Sequence, residues 1–319
     1  MHLLGYAGQR LLRGGLTFLF AVSVTFFLVR LLPGDPMLAV AGPGMTEELL
    51  ARQIADLGLD RSLPVQYVSY LREIAQGNLG ISFLRGRPVA EVLMDRLPWT
   101  LLLTGTALVA TLVLGVPLGV LAAVRARGAL DQLVQVTGVI GQSLFVPSIG
   151  IFLLYVFGLA LGWFPIGGAV DTDAEGVARL LSILHHLALP AATLVMSQLA
   201  GYVLTLRATL IDALGEEYCD LARVKGAPER RVVWVHALRN AMLPTTTLIG
   251  LQLGFLVGGA VLTETIFAYP GLGRAIFEAV GQLDYPVLQG AFVLLAATVV
   301  MANLLTDLLY GLLDPRVRT

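Results

Sequence analysis

The residue types that could do chemistry gather in one polar segment, residues 207–240, which lies between two long hydrophobic runs. Inside it, the seven residues from Asp220 to Gly226 are typical of a short helix that ends at a glycine. The chain shows no metal-ligand spacing, no glycine-rich phosphate loop and no nucleophile elbow. The chemistry that this segment suggests is therefore contact with a soluble partner, and we expect energy for movement to enter there.

Composition places most of the remaining chain in a membrane. Hydrophobic residues make up 56% of the sequence and charged residues only 13%, against about 25% charged in ordinary soluble domains. The mean hydropathy is +0.80. The formal net charge of -1 gives no reason to expect a nucleic-acid partner. A single cysteine, Cys219, excludes an internal disulfide and predicts a free thiol.

Six segments are apolar enough to cross a bilayer, which takes about 20 residues of helix. The predicted spans are residues 14–32, 98–124, 133–161, 187–206, 240–263 and 286–310. Lysine and arginine are more frequent in the short loops on the N-terminal side of the membrane than in the other short loops. Both termini are therefore predicted to lie in the cytoplasm.

The start of the chain allows a second interpretation. Arg10 and Arg13, the apolar run behind them and Ala-Val-Ala at residues 39–41 resemble a secretory signal with its cleavage site. The apolar run is longer than the roughly 7–15 residues usual for such signals. We therefore keep the run as the first span.

Residues 33–97 are predicted to form a long loop on the outer side. Apolar residues recur at helical spacing over residues 46–57, with Thr46 as the N-cap and Gly58 as the stop, and a second helix is predicted over residues 64–75. The loop is interpreted as a cap on the membrane surface or as a docking surface for an extracytoplasmic partner, and the two are compatible.

Four polar side chains lie within spans that are predominantly apolar. Polar groups are costly inside a bilayer unless they meet a partner or face a wet cavity. Their occurrence on three different spans predicts a polar path through the helices, although hydrogen bonds between helices would explain each one singly. The residues predicted to line this path are Gln142, Ser143, Gln198 and Gln252.

The short helix inside the polar segment has a defined face and defined ends. Glu217 and Asp220 lie in its first turns, where the helix dipole favours negative charge, and Gly226 suits the left-handed position after its end. A helix lying on lipid is the alternative, but anionic headgroups would repel those carboxylates. The face predicted to bind a partner, by the i, i+3, i+4, i+7 spacing, consists of Tyr218, Leu221, Ala222 and Lys225.

Residues 220–226, DLARVKG, resemble the EAA-x-x-x-G core of permease subunits in bacterial ABC importers, with Asp for Glu and Leu for one Ala. The sequence HALRNAMLP at residues 236–244 resembles the form of the motif found in the dipeptide, oligopeptide and nickel permease family. The B-type subunit of that family is the most similar. Further matching blocks are LPGDP at 32–36, GNLGIS at 77–82, ETIFAYPGLGR at 264–274, DYPV at 284–287 and DPRVR at 314–318.

The resemblance implies an all-α integral membrane protein of the bacterial inner membrane. It has six transmembrane helices of the type I ABC importer kind, an outer helical loop and a cytoplasmic coupling helix. Residues 1–319 would form one permease domain, with the outer loop at 33–97 and the coupling loop at 207–240. The residues assigned to coupling are Glu217, Tyr218, Asp220, Leu221, Ala222, Lys225 and Gly226.

The resemblance also implies partners. A second, C-type permease would pair with this chain, two cytoplasmic ATPases would bind the coupling loops, and an extracytoplasmic binding protein would deliver substrate. This chain would bind no cofactor or metal itself, and ATP and Mg²⁺ would be held by the ATPases.

Short peptides are the expected substrates, and nickel, a nickel chelate, or glutathione-like and opine substrates are the alternatives within the family. A membrane-embedded enzyme is the rival from another class. It would need a nucleophile with a base, or metal ligands, at membrane depth, and Ser143 has no evident base. A channel or secondary transporter would explain the spans but not the docking loop.

Overall fold

A computed structural model of the chain describes residues 2–31, 61–255 and 260–313. The described residues are largely α-helical, which confirms the all-α fold class, and an isolated antiparallel bridge joins Ile81 to Pro88. The first six helices are α1 (His2–Leu31), α2 (Leu63–Ala75), α3 (Val89–Val124), α4 (Ala129–Ser143), α5 (Val146–Leu153) and α6 (Gly176–Leu214). The next are α7 (Glu217–Val224), α8 (Glu229–Arg231), α9 (Leu238–Phe255), α10 (Val261–Ile266), α11 (Leu272–Gly281) and α12 (Tyr285–Leu313). Two π-helical segments are π1 (Leu154–Ala160) and π2 (Val232–Ala237).

Four of the described helices contain a stretch long and apolar enough to cross a membrane. They correspond to the predicted first, second, fourth and sixth spans. Helices α3 and α6 have 36 and 39 residues, well above the roughly 20 that a bilayer requires, so both extend beyond it or tilt within it. The apolar stretches are Arg10–Leu28, Val89–Val124, Gly176–Leu214 and Tyr285–Leu304.

The third predicted span, residues 133–161, is not one straight helix. Helix α4 and the α5–π1 helix meet at an angle of 98°. Leu144 and Phe145 have extended backbones between them, with ψ of 133° and 119°. Pro147 explains the break, since it has no N–H to donate to the carbonyl of Ser143 and its ring would clash with that carbonyl in a continuous helix.

The fifth predicted span, residues 240–263, begins as α9, a helix of 18 residues with Pro244 inside it. Residues 256–259 lie outside the described part of the chain, so the continuity of this span stays a prediction.

Helix α2 confirms the helix predicted over residues 64–75. Ser62 has the extended backbone of an N-cap, and a proline occupies the first turn, where its missing N–H costs nothing. The helix stops at Gln76, before Gly77, whose φ of 76° is left-handed. The other predicted helix of this loop, residues 46–57, lies outside the described residues.

Contacts divide the chain into two compact units. One unit consists of residues 1–100 and 270–319, and the other of residues 101–269. In the first, α12 packs against both α1 and α11, and in the second, α6 packs against α4 and α9.

A buried carboxylate organises part of the first unit. Asp284 accepts hydrogen bonds from Ser82 Oγ at 2.5 Å and from the backbone N of Phe83 at 3.3 Å. It also accepts a bond from the backbone N of Val287 at 3.4 Å, which caps the start of α12. The turn after α2 is thereby attached to the N-terminus of α12.

Candidate functional site

The predicted short helix of the polar segment is present as α7, hereafter the loop helix. Glu216 is its N-cap residue, with an extended backbone, and its carbonyl accepts bonds from the backbone N of Cys219 at 2.9 Å and of Asp220 at 3.4 Å. Glu217 and Asp220 lie in the first turn, as predicted. Both carboxylates belong to the turn at the positive end of the helix dipole, which stabilises the start of the helix.

The end of the loop helix is closed by Gly226, which confirms the predicted C-terminal position. Its φ is 82°, and its N–H donates to the carbonyl of Arg223 at 2.9 Å. The N–H of Ala227 donates to the carbonyl of Ala222 at 3.1 Å. This pair of bonds is a Schellman motif, which satisfies carbonyls that the helix end would leave open.

The inner face of the loop helix is part of a hydrophobic core. Cys219 and Ala222 are buried against residues of α6 and π2, among them Leu210 and Val232. The Sγ of Cys219 donates to the carbonyl of Ala213 at 3.2 Å, and burial raises the pKa of this thiol. Cys219 is a free cysteine, as predicted, and it serves packing, because a buried neutral thiol is a poor nucleophile.

The outer face of the loop helix exposes apolar side chains. Leu221 is 54% exposed and Val224 is 85% exposed. A concavity of about 450 Å³ lies beside this face. All four residues predicted to form the binding face line it, although Ala222 is itself buried; its lining includes Tyr218, Leu221, Ala222, Lys225, Arg231 and His236.

Arg223 connects the loop helix to the elements on either side of it. Its Nη1 donates to Asp220 Oδ1 at 2.8 Å and to the carbonyl of Leu214, the last residue of α6, at 3.3 Å. Its Nε and Nη2 donate to the two carboxylate oxygens of Glu229 at 3.2 and 3.1 Å. The Arg223 guanidinium lowers the pKa of Glu229 below its usual range. The sequence did not predict the contact between Arg223 and Glu229. The two residues lie six apart, which is not a contact spacing in one helix, and only the turn at Gly226 brings them together.

Arg207, predicted to open the polar loop, instead lies inside α6 and binds Asp131. Asp131 is fully buried at the start of α4, and it accepts hydrogen bonds from Arg207 Nε and, at 2.7 Å, from Arg207 Nη2. The backbone N of Arg127, a residue with a left-handed φ of 67°, donates to the same carboxylate at 2.7 Å. This ion pair attaches the α3–α4 turn to α6. The only sequence signal for it was an acidic residue just before the apolar run of the third span.

The predicted polar path is described in part. Gln142 and Ser143 are exposed at the end of α4, and Ser143 Oγ donates to the carbonyl of Val139 at 2.9 Å. Gln198 is half-buried on α6, the helix against which α4 packs. The side chain of Gln252 lies outside the described part. These positions place two of the path residues on neighbouring helices, and the path itself stays a prediction.

Two observations bear on the alternative of a membrane-embedded enzyme. The Ser143 hydroxyl is used by its own helix backbone, as above. Among the described residues, no three His, Cys, Asp or Glu side chains are close enough together to hold a metal ion. The concavity beside the loop helix is the candidate site that the described residues form.

Comparison with known proteins supplies the family. The pattern of the binding-protein-dependent transport system inner membrane component family matches residues 115–319, and the N-terminal pattern of the same systems matches residues 3–104. A probable peptide ABC transporter permease of Sinorhizobium fredii is 39% identical over 92% of each chain. The dipeptide transport system permease DppB of Escherichia coli is 38% identical over 95% of each chain. The oligopeptide transport system permease AppB of Bacillus subtilis is 37% identical over 92% of this chain and 93% of its own.

These relatives are permease subunits and not enzymes, which confirms the prediction of a transporter subunit. The matches cover nearly the whole chain, and the matched residues 115–319 include the loop helix. Several apolar helices in the structure agree with a multi-pass protein of the inner membrane. The chain therefore belongs to the family of binding-protein-dependent transport system inner membrane components, the helical permeases of type I ABC importers.

Proposed function

We propose that this chain is the membrane-spanning permease subunit of an ATP-driven importer of short peptides, and that the loop helix is its contact with an ATPase. The observation that carries the proposal is the two-sided loop helix. One face is held in the core of its own unit, and the other exposes apolar side chains.

The inner face explains how force would pass through the loop helix. A ligand or partner shifts a conformational equilibrium only through contacts that differ between the two states. Cys219 and Ala222 pack against α6 and π2, and Arg223 ties the helix to the last carbonyl of α6 and to Glu229. A partner that pulls on the loop helix would thus move α6, one of the long apolar helices, as part of the same packed body.

The outer face has the composition of a protein-binding surface. It exposes two apolar side chains, Leu221 and Val224, and charged residues of the same short helix are exposed beside them. A central apolar contact surrounded by a polar rim is the usual arrangement of a protein interface. The exposed carboxylates of Glu217 and Asp220 favour a soluble protein over an anionic lipid surface.

The full assembly that we propose has four kinds of partner. A C-type permease completes the translocation pathway, two cytoplasmic ATPases bind ATP and Mg²⁺, and an extracytoplasmic protein delivers substrate. Both termini and the segment 207–240 lie in the cytoplasm, and residues 33–97 lie outside, all within a single permease domain. The relatives named for dipeptide, oligopeptide and peptide transport support the peptide substrate. Gln142, Ser143, Gln198 and Gln252 line the proposed path.

The direct test places a charge in the centre of the outer face. Leu221→Asp in the complete transporter, reconstituted in vesicles, is expected to abolish peptide-stimulated ATP hydrolysis and peptide uptake, because the apolar contact would have to bury a carboxylate. Ala126→Asp is the matched control, since it adds the same charge to an exposed turn of the same unit. Normal uptake by Leu221→Asp would overturn the coupling role.

A second measurement tests the class of transporter. An ATPase is expected to co-purify with the unaltered chain and to be lost from Leu221→Asp. Full peptide transport in the absence of ATP would exclude an ATP-driven importer.

A further inference from the structure

A groove of about 510 Å³ runs between α1 and α12, which pack against each other in the first unit. Most of its wall is apolar. The apolar side chains that line it are Leu11, Phe18, Ala297, Val300, Met301 and Leu304. Leu11 and Met301 are 61% and 56% exposed, so the groove opens to the surroundings of the helices.

Two adjacent glycines of α1 form the groove. A Cβ at Gly14 would lie 3.0 Å from Val300 Cγ1, so the two helices approach closely at that point. A Cβ at Gly15 would meet nothing within 4 Å. A side chain at Gly15 would therefore occupy open space. Gly14 marks the point where the helices touch, and Gly15 borders the open part of the groove.

Charge is present at one end of the groove. Arg10 and Arg13 lie three residues apart and so share a face of α1, next to the start of the apolar wall. The other polar residues of the lining are Thr17 and Asn303, and none of the described residues that line the groove is acidic. The arginines lie in the first turn of the apolar stretch Arg10–Leu28, at the end of the span, from which their long side chains can reach the lipid headgroups.

We propose that this groove binds an anionic glycerophospholipid, with its phosphate at Arg10 and Arg13 and an acyl chain along the apolar wall. A hydrocarbon chain carries no polar group that needs a partner, whereas a peptide backbone in the same groove would need partners for each N–H and C=O. Free phosphate would use the arginines and leave the wall uncovered. The single charged end and the apolar wall together match a molecule with one anionic head.

The depth and sign of the charge agree with this ligand. Basic pockets between transmembrane helices at the headgroup level attract anionic lipids. Arginine suits phosphate because its guanidinium donates two parallel hydrogen bonds. The groove belongs to the unit that does not contain the loop helix, and lipid binding there does not depend on the proposed coupling role.

Photo-crosslinking in the complete transporter tests the site. The probe is phosphatidylglycerol with a diazirine on its acyl chain, in nanodiscs of phosphatidylglycerol and phosphatidylcholine, with crosslinked peptides mapped by mass spectrometry. Crosslinks are expected on the peptides that carry Phe18 and Met301. Replacing Arg10 and Arg13 by Gln should lower the yield about fivefold for each arginine, while Arg125→Gln, on an exposed turn of the other unit, should leave it unchanged.

Gly15→Leu tests the hollow itself, because leucine fills it without removing charge. We expect this variant to lose the crosslink while the transporter assembles normally. If the variant fails to assemble, two other comparisons still test the site. One is the crosslinking yield of the arginine variants. The other is the yield with the same diazirine probe built on phosphatidylcholine, which must be lower than with phosphatidylglycerol if the site binds an anionic head. Equal crosslinking in all variants and with both probes would overturn the site. Protection of Phe18 and Met301 by a segment of another subunit would show a protein interface there and would overturn it as well.

Discussion

Two arginine–carboxylate contacts of the second unit have the same chemistry and opposite surroundings. Arg207 binds Asp131, which is fully buried, and Arg223 binds Asp220 and Glu229, whose side chains are 67% and 60% exposed. A buried ion pair is costly to break, because the remaining charge has lost its water, whereas an exposed pair contributes little. The comparison shows that Arg207 determines where helices lie, while Arg223 adjusts the loop helix within a structure already held by packing.

The two contacts also differ in what else they join. Asp131 accepts from the backbone of Arg127, so the ion pair and the α3–α4 turn depend on each other. Arg223 donates to the carbonyl of Leu214 and so meets the end of α6. The exposed contact lies on the loop helix, where a functional contact must be able to change, and the buried contact lies where the helices must not separate.

The largest effect is expected from Asp131→Ala. The change leaves the Arg207 guanidinium without its carboxylate and the backbone N–H of Arg127 without its acceptor, which should destabilise the protein by about 3–5 kcal/mol. The thermal unfolding midpoint of the purified transporter, or its yield after membrane extraction, would measure the loss. Asp220→Ala is the matched control, since it removes an exposed carboxylate from the same unit. An unchanged midpoint for Asp131→Ala would show that the buried contact does not hold the helices.

A smaller effect is expected when the exposed region is altered through its backbone. Gly226→Ala places a Cβ at a φ of 82°, which costs about 1–2 kcal/mol, although the space around that Cβ is open. The end of the loop helix should then shift relative to Glu229. Amide hydrogen exchange over residues 217–229 should become faster, with Gly215→Ala, at a glycine of negative φ, as the control. Exchange equal to that of the unaltered protein would contradict the need for a left-handed residue.

Removal of the exposed charge should have a local effect alone. Arg223→Gln keeps a polar side chain but loses the paired bonds to Glu229. Amide exchange in the loop helix should rise while the thermal midpoint stays at that of the unaltered protein. A fall in the midpoint as large as that of Asp131→Ala would remove the distinction between the two contacts.

The smallest expected effect is a dependence on pH. The pKa of Glu229 is lowered in the folded protein by Arg223, so its contribution is complete above the ordinary carboxyl pKa and is lost as the pH falls through the lower, folded value. The difference in loop-helix protection between the unaltered protein and Glu229→Gln should therefore be constant near neutral pH and shrink only in acid. Exchange rates corrected for their intrinsic pH dependence would measure it. A difference in protection that grows in acid would contradict a lowered pKa of Glu229 in the folded protein.

Local features of the loop helix were predictable because their signals are local. Gly226 with Pro228 two residues later marks an end, and Glu217 and Asp220 mark a start, and the structure has both. The spacing of Tyr218 and Leu221 also predicted a face that lines the concavity. Each of these inferences needs only the geometry of one helix.

Contacts between distant residues were not predictable in the same way. Asp131 and Arg207 lie 76 residues apart, and no periodicity or cap connects them. Arg223 and Glu229 are near in sequence, but the turn at Gly226 changes the direction of the chain between them. The break at Pro147 was open to prediction as a weak point, since proline cannot continue the helical bonding, but its angle depends on the packing around it.

Composition and local pattern alone determined that this chain is a helical membrane protein with a short capped helix in a polar loop, because hydropathy, caps and turns act over a few residues. The tertiary structure alone decided which charges meet, which face of the loop helix is buried and where a largely apolar groove opens between α1 and α12. Those outcomes depend on helices that are far apart in sequence and close in space. Hydropathy can be read from one segment, whereas packing depends on both of the helices that meet.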